Sequence, residues 1–66
     1  MNETFGQRLK RLRKAQRLTQ REFAKKVGIG NDHICKYEHD KHIPNVVVLE
    51  WLCKALDVTA TELLGF

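Results

Sequence analysis

Leu18-Thr19-Gln20-Arg21-Glu22-Phe23-Ala24-Lys25-Lys26-Val27-Gly28-Ile29-Gly30-Asn31-Asp32-His33-Ile34-Cys35-Lys36-Tyr37-Glu38 is the stretch on which the fold turns. Thr19 followed three residues later by Glu22 forms a capping box, in which each side chain satisfies the other's free backbone N–H at a helix start. The spacing predicts a helix over 20–27 that buries Phe23, Ala24 and Val27, ended by Gly28 in the left-handed conformation. After the turn Gly28-Ile29-Gly30, a helix over 31–38 brings Ile34 and Tyr37 to one face and Asp32, Cys35 and Lys36 to the other. Ala24 is small enough for the two helices to approach closely, and Ile29 and Ile34 fill the angle between them.

The same signals extend outward in both directions. Thr4 with Gln7 and Thr59 with Glu62 repeat the capping box, each contributing on the order of 1 kcal/mol. A first helix over about 4–16 is expected to carry Phe5, Leu9, Leu12 and Gln16 as its inner stripe, opposite Arg8, Arg11 and Lys14. Residues 40–44 read as a loop, with Pro44 close to the start of a fourth helix over about 45–56. In that helix Leu49, Leu52, Cys53 and Leu56 share one face, and residues 60–64 form a short fifth helix. No segment alternates as a strand would. The expectation is one all-α domain over 1–66 with five helices.

Its 66 residues place the chain near the lower limit for a self-sufficient core, and its 42% hydrophobic content suits packing better than disorder. The longest apolar run, Val46 to Leu49, is far shorter than the roughly 20 residues that span a bilayer. The first residues lack the basic and apolar regions of a secretory signal, so a cytoplasmic location is expected. Two cysteines are too few for a secreted disulfide scaffold of this size and read as reduced thiols. Net charge is +4 overall, but residues 8–41 hold 11 basic and 4 acidic side chains, a local +7. Such segregation fits a polyanion binder, although charge alone leaves simple solubility equally open.

Leu18-Thr19-Gln20-Arg21-Glu22-Phe23-Ala24, then Val27-Gly28-Ile29, Ile34, Tyr37-Glu38, Pro44 and Ala55-Leu56-Asp57-Val58, resemble the Cro and phage-repressor type (XRE-like) helix-turn-helix regulators. The resemblance covers about residues 5–64. It implies a five-helix domain of the lambda-repressor-like type that binds double-stranded DNA, with its third helix in the major groove. Base contacts would come from Asn31, Asp32 and Lys36, with His33 and Cys35 at the edge. Phosphate contacts would come from Gln20, Lys41, His42 and Asn45. It also implies a pair between Arg13 and Glu38 that turns Arg13 towards a phosphate. This sequence departs from the family pattern at Arg17 and Asp40, where glycine is common, and at Gly30, where a capping serine or threonine is common. Asp32 is an acid close to the phosphates; it would either accept from cytosine N4 or merely favour the helix dipole and pair with Lys36.

Other chemistries are weaker. His33, Cys35, His39 and His42 are irregularly spaced, so no metal ligation is expected. Cys53 reads as a core residue and Cys35 as a partly exposed thiol. No nucleophile, base and oxyanion donor assemble, so neither catalysis, cofactor nor small-molecule ligand is expected. Val47 and Trp51, one turn apart and off the inner face of the fourth helix, combine with Val48, Leu64 and Phe66 into an expected homodimer interface. The reading is a repressor that binds a palindromic operator as a dimer. The competing reading is an antitoxin or adaptor that uses the apolar face of the fourth helix to hold a partner protein.

Overall fold

The computed structural model describes residues 3–66; the first two positions of the expected domain lie outside the described residues. Five helices follow in order: α1 (Phe5–Ala15), α2 (Gln20–Val27), α3 (Asn31–Glu38), α4 (Val46–Leu56) and α5 (Ala60–Leu64). All three capping boxes form, with Thr4, Thr19 and Thr59 accepting from the N–H groups of Gln7, Glu22 and Glu62. Asn45 caps α4 from outside, accepting from Val48 N–H at 2.8 Å, so this helix starts one residue later than the sequence suggests. α1 likewise runs one residue shorter at each end than expected, because Thr4 and Gln16 are its caps.

Every helix is followed within two residues by one in the left-handed region. Gly28 and Gly65 adopt it at φ 95° and 84°, and Arg17, Asp40 and Asp57 at φ 59°, 58° and 56°. Behind α1, Leu18 N–H reaches back to Arg13 O and Arg17 N–H to Lys14 O; behind α3, Lys41 N–H reaches Lys36 O and Asp40 N–H reaches Tyr37 O. This pattern reverses the chain while satisfying the last carbonyls. The positions where glycine is absent therefore keep the glycine-type backbone.

The core is Leu9 of α1, Phe23 and Ala24 of α2, Ile34 and Tyr37 of α3, Leu52, Ala55 and Leu56 of α4, and Leu63 of α5. Phe5, Leu12, Leu18, Val27, Ile29, Val48, Leu49 and Cys53 pack around it half-buried. α1 lies against α3 at Gly6: a Cβ placed there would stand 2.5 Å from Glu38 O and 2.6 Å from Tyr37 O. Only glycine permits that approach. Asp40, just past α3, bonds back to the start of α1, accepting from Gly6 N–H at 2.9 Å and Thr4 Oγ1 at 2.6 Å. Arg8 of α1 and its cap Gln16 differ from the expected wheel. Gln16 is exposed and ties α1 to α4 by donating to Leu56 O, and Arg8 folds over the chain end to donate to Leu64 O at 3.1 Å.

Candidate nucleic-acid interface

α2 and α3 meet across the turn Gly28-Ile29-Gly30, with Phe23, Ala24, Ile34 and Tyr37 buried between them and the rest of the core. Burying those four leaves Asn31, Asp32, His33 and Lys36 of α3 exposed and Cys35 half-buried. Gln20, Asn31, Asp32, Cys35, Lys36, His39 and Lys41 line one shallow hollow. His33, Lys36, Tyr37, His42 and Ile43 line a second. Lys36 belongs to both. All five expected base-contacting residues thus lie in or beside these two hollows, together with Gln20, Lys41 and His42 of the expected phosphate set. Asn45 stands apart as the α4 cap, its amide oxygen committed to Val48 N–H.

Asp32 sits in the first turn of α3 and leans back over Gly30, where an added Cβ would be 2.5 Å from its Oδ1. Its negative charge thereby lies at the positive end of the helix, taking up space that a capping side chain on residue 30 would need. The expected alternative of an Asp32–Lys36 pair does not form. Among the described residues the ion pairs are Glu3 with Arg8 and Arg11, and Arg13 with Glu38.

Arg13 and Glu38 meet as the family pattern implies, and the guanidinium is turned inward. Its Nε and Nη2 donate to Glu38 Oε2 at 2.6 Å and Oε1 at 3.1 Å, and Nη1 donates to Leu18 O at 2.7 Å. With the residue 6% exposed, the guanidinium is a clamp between α1, α3 and the chain entering α2. Gln20 joins the same cluster, its Nε2 donating to Glu38 Oε1 at 3.0 Å.

His39 and Ile43 were not singled out as site residues. His39 is the C-cap of α3, and its Nδ1 lies 2.8 Å from Cys35 O, which requires the proton on that nitrogen. Its position one turn after Cys35 was the available signal. No group of three or more potential metal-ligating side chains comes together among the described residues. The thiol of Cys53 is pushed up by burial first, then by the charges of Glu50 and Glu62.

Of the expected interface residues, Val47, Trp51 and Phe66 are exposed, and Val48 and Leu64 are half-buried. At 100° per residue, α4 turns Val47 and Trp51 to its α2 side, where Trp51 and Lys54 line a groove with Lys26, Val27 and Gly28. Val46, Leu49 and Cys53 face the other way, lining a groove with Ala60. Val48 packs on the core, and the backbone of Leu64 and Gly65 lies against Arg8.

Residues 6–65 match the model of the helix-turn-helix domain family. The chain belongs to that family. It is 32% identical over 62 residues to the immunity repressor protein of Bacillus phage phi105, covering 94% of this chain and 43% of that protein. It is also 32% identical over 61 residues to antitoxin PezA of Streptococcus pneumoniae serotype 4, covering 92% of this chain and 39% of PezA. The chain thus spans less than half the length of either relative. The P22 c2 repressor, solved with a synthetic operator, superposes with a TM-score of 0.90 at 32% identity, covering 96% of each chain. The chain is therefore a non-catalytic helix-turn-helix domain of the Cro and phage-repressor type, with the all-α architecture expected from its sequence. No described helix is long and apolar enough to cross a membrane.

Proposed function

We propose that this domain is a sequence-specific duplex-DNA-binding transcriptional regulator, a repressor acting in the cytoplasm as a homodimer on a palindromic operator. The observation that carries this reading is the placement of Asn31, Asp32, Cys35 and Lys36 around one hollow, walled by Gln20 and Lys41. An α-helix fits the major groove, and a side chain such as Lys36 can donate there to guanine O6 or N7. Lys41, His42 and the outward amide nitrogen of Asn45 contact phosphates on either side, supplying affinity while α3 supplies specificity. The immunity-repressor relative and the fit to an operator-bound repressor support the reading.

Selection from a random duplex pool at near-physiological salt tests it. The expected winner is two-fold symmetric, with half-sites about 10 base pairs apart, and its affinity falls steeply with salt. The likeness to PezA favours one competitor, a partner-binding antitoxin or adaptor. A pool that enriches no sequence would transfer support to it.

A further inference from the structure

We infer that a second copy of the chain lays its α4 antiparallel on α4 of the first, with each Glu50 paired to the partner's Lys54; this rests on the dimer reading above. Glu50 and Lys54 are the only charged residues of α4, and both are exposed. They stand one turn apart with the glutamate first, the order that favours a pair within one helix. No such pair forms among the described residues, so both charges are open to another chain.

At 100° per residue Glu50 and Lys54 point about 40° apart on the outward face, with Val47 next to Lys54 and Trp51 beyond it. Val47 and Trp51 are 54% and 45% exposed, an apolar seam beside one acid and one base. A two-fold contact has to be self-complementary, since the same patch serves both subunits. A two-fold axis running along α4 would make the helices parallel and set Glu50 beside the partner's Glu50, and Lys54 beside the partner's Lys54. An axis crossing α4 at the level of Leu52 makes them antiparallel and sets each Glu50 opposite the partner's Lys54. That same axis brings the two Trp51 side chains together, with a Val47 on each side. The charges thus choose both the direction and the register of the helix pair, and the apolar seam supplies the burial. A second copy provides by symmetry what each charge lacks.

Charge reversal tests the pairing by sedimentation equilibrium. Glu50→Lys and Lys54→Glu each place two like-charged contacts in the pair, and each is expected to weaken dimerisation at least about tenfold. An equimolar mixture of the two variants is expected to recover the dimer, because a heterodimer restores both opposite-charge contacts. Emission of Trp51, the one tryptophan of the chain, is expected to shift to the blue in the wild type and the mixture as the dimer forms. If either single variant dimerises as the wild type does, or if the mixture stays monomeric, the inference is overturned and the dimer reading stands. A dimeric wild type whose Trp51 emission does not move with concentration overturns it as well, placing the contact elsewhere. Should the wild type stay monomeric with and without operator DNA, the dimer reading itself falls, and the inference with it.

Discussion

At the scale of single residues, the Arg13–Glu38 pair is where this domain is most easily broken. Both side chains are almost fully covered, and Glu38 accepts from Arg13 twice and from Gln20 once. Removing one partner of a buried pair leaves an uncompensated charge, at a cost of about 3–5 kcal/mol, whereas replacing both by apolar groups is often neutral. A core of this size rarely supplies more than about 3–5 kcal/mol in total. Glu38→Ala is therefore expected to leave the chain largely unfolded at 25 °C by circular dichroism, while the double variant Arg13→Met, Glu38→Leu refolds. A Glu38→Ala protein that melts as the wild type does would show the pair to be ornamental. Gly6 is the other unforgiving position, because the carbonyls of Tyr37 and Glu38 occupy the space of its missing Cβ.

At the scale of helices, the chain terminators make opposite predictions for one backbone conformation. Arg17 and Asp40 both sit near φ 58°, a region that costs an ordinary L-residue roughly 1–2 kcal/mol and glycine almost nothing. Glycine's extra freedom in the unfolded chain returns about 0.4–1 kcal/mol of that gain. Arg17→Gly should thus stabilise the domain by roughly 0–1.6 kcal/mol, read as a higher urea midpoint. Asp40→Gly should lower it, because the carboxylate holds Thr4 and Gly6 at the start of α1. The Thr4 hydroxyl first, then the Gly6 N–H, holds the Asp40 carboxyl below its ordinary value; Thr19 does the same for Glu22, and Arg11 for Glu3. A carboxyl lowered in the folded state stabilises above its unfolded value and stops doing so as pH falls through its folded value. The melting temperature should therefore fall as the pH drops below about 4, and fall less in Asp40→Asn; equal slopes would dismiss the Asp40 contacts. Most of the helix boundaries were legible in the sequence, since threonine caps, glycine stops and apolar spacing are local chemistry. Asp40 as a cap for α1 and Gly6 as a contact for α3 were not, because each depends on a partner more than 30 residues away. The hollow was legible through the wheel of α3, whereas the burial of Arg13 and the turn of Gln20 towards Glu38 emerge only when three helices meet.

At the scale of the whole molecule, the basic excess and the exposed apolar residues fall in different stretches of the chain, which bears on how two copies would meet. The basic excess lies in residues 8–41, and the remaining residues sum to −3. Ile43, Val46, Val47, Trp51 and Phe66 stay exposed, all five beyond the basic stretch and four of them in α4 and at the chain end. A dimer formed through α4 would leave the exposed α3 residues Asn31, Asp32 and Lys36 free for DNA. Because α4 turns Val47 and Trp51 one way and Val46 the other, substitutions on the two flanks locate the contact. A dimeric mass is expected at tens of micromolar protein. If the Val47 and Trp51 flank carries the contact, Trp51→Ser should give a folded monomer whose melting temperature is lower and no longer depends on protein concentration, since Trp51 is outside the core and only the association is lost. That monomer should still prefer the operator half-site but lose the added affinity of the second half-site, because two linked contacts multiply rather than add. Val46→Ser should leave the mass dimeric. The reverse result would move the interface to the α5 side of α4, and a monomeric wild type whose mass is unaltered by operator DNA would end the dimer proposal.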